Sequence, residues 1–126
     1  MKLMDIINLQ ETIKFMLDEK LPFRTSYKLT KFANLIEEEI EYYNTELKKL
    51  IDQYAEKDEN NQPKFTEEGA GIILIPETKM EFYDKFSELQ LLEIDKNFPT
   101  FKLEELDIMK IPPKLIMTFS QLIEEE

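Results

Sequence analysis

The chain has 126 residues, 42% of them apolar, with nine Phe, five Tyr and six Met; that is enough to build a core for one domain and excludes global disorder. It has no Cys and no His, which excludes disulfides, thiolate nucleophiles, zinc ribbons, imidazole metal sites and Ser-His or Cys-His chemistry. Its 16 basic and 27 acidic residues give a net charge of −11, a field that repels phosphate backbones and anionic lipid.

No apolar run approaches the ~20 residues that span a bilayer. The opening MKLMDIINLQET breaks early at Asp5, where a signal peptide needs an unbroken apolar stretch. The expectation is a cytoplasmic protein without membrane contact. A first helix is expected over residues 3–20, with Ile6, Leu9, Ile13, Met16 and Leu17 along one line. Met4, Ile7 and Phe15 fall on roughly the opposite side, where a simple two-layer helix needs no apolar residue. Pro22 disfavours helical geometry at Leu21 and ends the segment.

Thr25 or Ser26 is the expected cap of a long helix over about residues 27–56. Leu29, Phe32, Ile36, Ile40, Tyr43, Leu47, Leu50 and Tyr54 repeat at steps of three and four along one stripe. Glu37, Glu38, Glu41, Thr45, Lys48 and Asp52 take the opposite, solvated face. So short a connection between the two helices predicts an antiparallel pair. Leu35 and Tyr42 lie off the stripe; with Met4, Ile7 and Phe15 they form surplus apolar surface, to be covered by the later helices or by another chain.

The next stretch, YAEKDENNQPKFTEEGAGIILIP, invites comparison with a calcium loop. Counted from Asp58, the glycine position holds Pro63 and the bidentate glutamate position holds Gly69, so the pattern fails. A turn at 58–61, a short strand at 64–66, a loop at 67–71 and a strand at 72–75 are expected instead. Thr78 and Glu81 have the spacing of a capping box for a third helix, with Phe82, Tyr83, Phe86 and Leu89 apolar and Glu81 set to pair with Lys85. A third strand is expected at 94–98, a helical turn at 102–109 and a last helix after Pro112-Pro113. Its stripe is Leu115, Ile116, Phe119, Leu122 and Ile123, and the tail Glu124-Glu125-Glu126 is expected to fray. The expected fold class is α+β, mostly α, in the order α-α-β-β-α-β-α. It is one domain over 1–126, with a helical hairpin at 1–57 and a small antiparallel sheet with two further helices at 58–126.

Chemistry is sparse. The run Glu37-Glu38-Glu39 with Glu41 is the densest carboxylate group, yet helical geometry points it to solvent, where no pKa splitting for acid–base work arises. Gly69-Ala70-Gly71 lacks the Lys-Ser/Thr of a phosphate loop. Arg24, the only arginine, is expected to be solvated or in a local ion pair, with an acidic group on a partner as the alternative. No catalytic residue, metal or cofactor is expected.

The segments LPFRTSYKLTKF, LIDQYAEKDENNQPKF, GIILIP, EFYDKFSELQLLEID and LIEEE together resemble a family of small acidic proteins of bacteriophages and prophages. The resemblance implies a Gly after DEN, where this chain has Asn61. The resemblance carries no active site; it implies an accessory or virion-associated protein in the bacterial cytoplasm or the virion. The leading expectation is a non-enzymatic interaction protein that dimerises through Met4, Ile7, Phe15, Leu35 and Tyr42, its protein partner unidentified. The alternative is an acidic inhibitor that mimics nucleic acid through Glu37, Glu38, Glu41 and Asp52 and blocks a host DNA-binding or defence protein; neither binds nucleic acid directly.

The stripe carries a direct test by urea denaturation. Ile40→Asp should cost about 2–4 kcal/mol, because it sets a charge among apolar neighbours. Glu41→Gln on the solvated face should stay within about 0.5 kcal/mol.

Overall fold

The computed structural model describes residues 1–66 and 71–124. Six α-helices occur among them: α1 (Leu3–Asn8), α2 (Gln10–Leu17), α3 (Phe23–Tyr54), α4 (Lys79–Gln90), α5 (Leu103–Met109) and α6 (Pro113–Phe119). Short 3-10 turns at Pro76–Thr78 and Ser120–Leu122 precede α4 and follow α6. Two compact units result, Met1–Ile40 with Glu93–Glu126, and Glu41–Leu92; the division falls inside α3.

The first unit holds the main core. The single helix expected at 3–20 is broken at Leu9, whose N–H bonds the Ile6 carbonyl at 3.1 Å, three residues back rather than four. That tightening keeps Leu3, Ile6, Leu9, Ile13 and Met16 buried together while Leu17, expected on the same stripe, is half-exposed. Both short helices with acidic third positions start alike. Asp5 accepts the Lys2 N–H at 3.0 Å and Glu105 the Lys102 N–H at 3.0 Å, so each carboxylate satisfies a backbone donor just ahead of its helix.

Phe32 on α3 sits at the centre. Its ring meets Phe98, Phe101 and Phe119 edge-on at centroid distances of 6.0, 5.9 and 6.1 Å, the arrangement that ring quadrupoles favour. Leu29 and Ile36 lie beside it on α3, and Leu106, Met109, Ile111, Leu115 and Leu122 close the core from the C-terminal segment. Thr12 is fully buried on α2 and pairs with Thr118 at 2.9 Å, so its hydroxyl is satisfied.

α3 is longer than expected at its start. Its first bond runs from the Ser26 N–H to the Pro22 carbonyl at 2.9 Å, which leaves Thr25 and Ser26 inside the first turn rather than capping it. At the other end the chain enters the turn read from Asp58. One carboxylate oxygen of Asp58 accepts the N–H groups of Asn60 and Gln62, both at 2.9 Å, and Asn61 adopts φ 61°. Asn is among the few non-glycine residues that enter the left-handed region readily, which lets Asn61 close the turn.

The α+β expectation is overturned here: the described residues contain no sheet. Where strands were expected there are isolated bridges, Ala55 with Leu74, Lys57 with Pro63 and Phe65 with Ile72. The three short segments divide their bonds among one another. Glu56 donates to Ile73 and accepts from Lys64, and Ile73 donates to Lys64, so no pair builds a continuous ladder. Pro63 has no N–H to extend its own bridge. The third expected strand, 94–98, is an extended connection that bridges only at its edge, Lys2 with Glu93. The expected loop at 67–71, apart from Gly71, and residues 125 and 126 of the tail lie outside the described residues.

In the second unit the capping box of α4 does not form. The Thr78 hydroxyl donates to the Ile75 carbonyl at 3.2 Å, and Glu81 accepts the Tyr54 hydroxyl at 2.9 Å. Lys85 pairs with Glu88 at 3.9 Å rather than with Glu81. The Tyr54 ring also stands edge-on to Phe82 at 6.0 Å, so one residue at the end of α3 anchors both the start and the core face of α4.

Phe32→Ala should lower unfolding free energy by about 3–5 kcal/mol, since it deletes the shared partner of three rings, and urea denaturation measures it.

Candidate functional site

The five residues expected to form an interface are divided between the two units. Met4, Ile7, Phe15 and Leu35 belong to the first unit and are half-buried; Phe15 packs against the core cluster. The surplus apolar face of the first helical segment is thus partly absorbed within its own unit. Tyr42, 45% exposed, belongs to the second unit.

The acidic face divides as well. Glu37, Glu38, Glu41 and Asp52 are exposed, but Glu39 is buried at 9% exposure, although its neighbours in the run point outward. Lys96 from the extended connection places its ammonium 2.6 Å from Glu39 and 2.8 Å from Glu38. The bonds to Glu38 and Glu39 raise the Lys96 pKa above its ordinary value of 10.5, outweighing the opposing effect of burial. The signal for Glu39 was available in its spacing, three residues after Ile36 and four before Tyr43 on the buried stripe. Nothing local marked Lys96.

A second ion pair tethers the start of α3. Glu105 holds Lys28 at 3.2 Å and the Thr25 hydroxyl at 3.5 Å, while the Lys28 ammonium stands 4.4 Å from the Phe101 ring centroid. Burial works to raise the Glu105 pKa, but the Lys102 N–H, the Lys28 ammonium and Thr25 together bring it below its ordinary 4.5. Arg24, by contrast, is exposed and has no ion pair among the described residues.

The second unit has a different character. Among its described hydrophobic residues, Tyr43, Tyr54, Ala55, Phe82 and Leu89 are buried; Tyr42, Phe65, Ile73, Met80, Tyr83, Leu91 and Leu92 are exposed. Two of the open hollows within it are lined mainly by apolar side chains. One, of about 280 Å³, is lined by Leu47, Ile51, Phe65, Ile72, Phe82 and Phe86, with the Phe82 and Phe86 rings stacked at 5.9 Å. The other, of about 250 Å³, is lined by Tyr42, Leu50, Leu89 and Leu92 and edged by Glu46, Lys85 and Glu88. What these surfaces can do is bury apolar side chains and fix them with ion pairs of either sign. The sequence marked Tyr42 as off the stripe but gave no sign of the hollows, which depend on how α3 packs against α4 and residues 65 and 72.

Compared with protein-family models, curated proteins and solved structures, the chain matches none.

The two ion clusters predict opposite pH limits. The lowered Glu105 pKa adds stability that is whole at neutral pH and disappears as pH falls through the folded value, below about 4.5. The raised Lys96 pKa adds stability that is whole below 10.5 and disappears as pH rises through the folded value. Glu105→Gln should flatten the acid limb of a melting-temperature profile, and Lys96→Met the alkaline limb. Lys96→Met should also cost about 1–3 kcal/mol at neutral pH, because Glu39 is left buried without a partner.

Proposed function

We propose that the protein is a non-catalytic interaction protein that works through helix surfaces, and that the second unit supplies its self-association face. The observation that carries this is the incomplete apolar cover on the second half of α3, α4 and the two residues after it, where Tyr42, Tyr83, Leu91 and Leu92 are exposed and Tyr42 and Leu92 line an open hollow. Exposed apolar surface gathered on one small unit is the usual signature of a contact surface.

A second copy is the favoured occupant because the Tyr42 hollow is edged by both signs of charge. A two-fold contact can set Lys85 of one copy against Glu46 or Glu88 of the other while Tyr42, Leu89 and Leu92 are buried twice. The resemblance to small acidic phage proteins suits such a role, as an accessory or virion-associated protein in the bacterial cytoplasm. The nucleic-acid-mimicking reading is weakened by Lys96, whose ammonium pairs with Glu38 of the acidic face as well as with buried Glu39.

Sedimentation at micromolar concentration should give a dimer mass for the wild type. Tyr42→Glu and Leu92→Glu, both at exposed positions, should give monomers with unchanged melting temperature. A monomeric wild type, or a dimer indifferent to both changes, overturns the assignment.

A further inference from the structure

The start of α3 is a cationic and aromatic face in a strongly acidic chain. Residues 20–36 contain Lys20, Arg24, Lys28 and Lys31 and no Asp or Glu, against a net charge of −11 for the whole. Phe23 is 89% exposed, more than any other large hydrophobic residue of the described chain, and Tyr27 is 58% exposed one turn later. In a regular helix positions 23, 27 and 31 stack along one line, with 24 and 28 on its flank. The Lys31 ammonium lies 5.1 Å from the Tyr27 ring centroid, and Lys28 is held at the flank by Glu105 and Phe101. Lys20 and Arg24 make no ion pair among the described residues. Folding thus leaves Phe23 and more than half of Tyr27 uncovered, with Lys20 and Arg24 unspent in ion pairs among the described residues.

We propose that this face binds a short acidic segment of a partner protein, whose carboxylates meet Arg24, Lys31 and Lys20 and whose apolar side chains cover Phe23 and Tyr27. Charge complementarity selects the chemistry, and the extent of the patch selects the class. From residue 23 to 31 the helix advances about 12 Å, the reach of three or four extended residues. Beyond it stand Glu37, Glu38 and Glu41 on the same helix, and before it Asp18 and Glu19. A nucleic-acid strand running along α3 would enter that anionic stretch, and a lipid surface would press on Asp18 and Glu19 beside Lys20. A short peptide need meet neither. Arginine gives the face a two-pronged carboxylate contact that lysine cannot supply. The proposal concerns the first unit alone and stands whether or not the second unit dimerises.

The probe is a short fluorescein-labelled peptide of Glu, Leu and Phe, followed by anisotropy against the full chain. Its controls are the same peptide with Lys for Glu, a labelled oligothymidylate, and vesicles of phosphatidylglycerol with phosphatidylcholine. Expected is saturable binding of the acidic peptide alone, weakening as salt is raised. Arg24→Glu with Lys31→Glu should weaken it about tenfold or more. Phe23→Ala should weaken it several-fold and, at so exposed a position, leave the melting temperature unchanged. Should the double variant melt lower, Arg24→Gln with Lys31→Gln takes its place. No saturable binding, binding indifferent to these changes, or preference for the oligonucleotide or the vesicles overturns the proposal. So does loss of self-association in the Arg24→Glu, Lys31→Glu protein, which would assign the face to a second copy.

Discussion

A 32-residue helix with one apolar stripe has to be covered over about 48 Å, and most of the chain is placed by that requirement. α1 and α2 together are too short to do it, so other segments must finish the cover. Residues 93–124 do so for the stripe up to Ile36, where Phe32 meets three rings. Residues 55–66 and 71–92 do so for the stripe from Tyr43 to Tyr54. The first cover is dense and the second incomplete, which is why Leu47 and Leu50 are only half-buried while Leu29 and Phe32 are sealed.

How much of this could be read beforehand follows the range of the interactions. The α3 stripe was legible because helical period is a local property: Leu29, Phe32, Ile36, Tyr43 and Tyr54 are all buried as expected. The turn at Asp58 was legible for the same reason, since its bonds close within four residues. The strands were not. β-branched runs such as Ile72–Ile75 report a preference for extended backbone, but a sheet needs consecutive partners, and three segments competing for one another supply single bridges. The box at Thr78 and Glu81 failed because a distant hydroxyl, that of Tyr54, took the carboxylate. Of the candidate site, Tyr42 was visible as an apolar residue off its stripe; the hollows were not, because they form where α3 meets α4 and residues 65 and 72, contacts that no local period reports.

Polar burial shows the same limit from the other side. Thr12 and Glu39 are both buried, and each is tolerated because a partner far along the chain satisfies it: Thr118 for one, Lys96 for the other. Counting hydrophobicity places neither. The Lys96 contact also changes what the acidic run means. A row of three glutamates reads as solvated surface, yet one of them is a fastening point for the extended connection.

The first unit is built from two stretches, Met1–Ile40 and Glu93–Glu126, with the second unit's 41–92 between them. Thr12 on α2 finds its carbonyl and hydroxyl partners 103 and 106 residues later. During synthesis, then, residues 41–92 leave the ribosome as an unbroken stretch while the earlier forty still lack Phe101, Leu115 and Phe119. The better-covered unit is therefore the last to close, and its helices wait with Ile6, Ile13 and Phe32 open to solvent or to a chaperone until the chain returns.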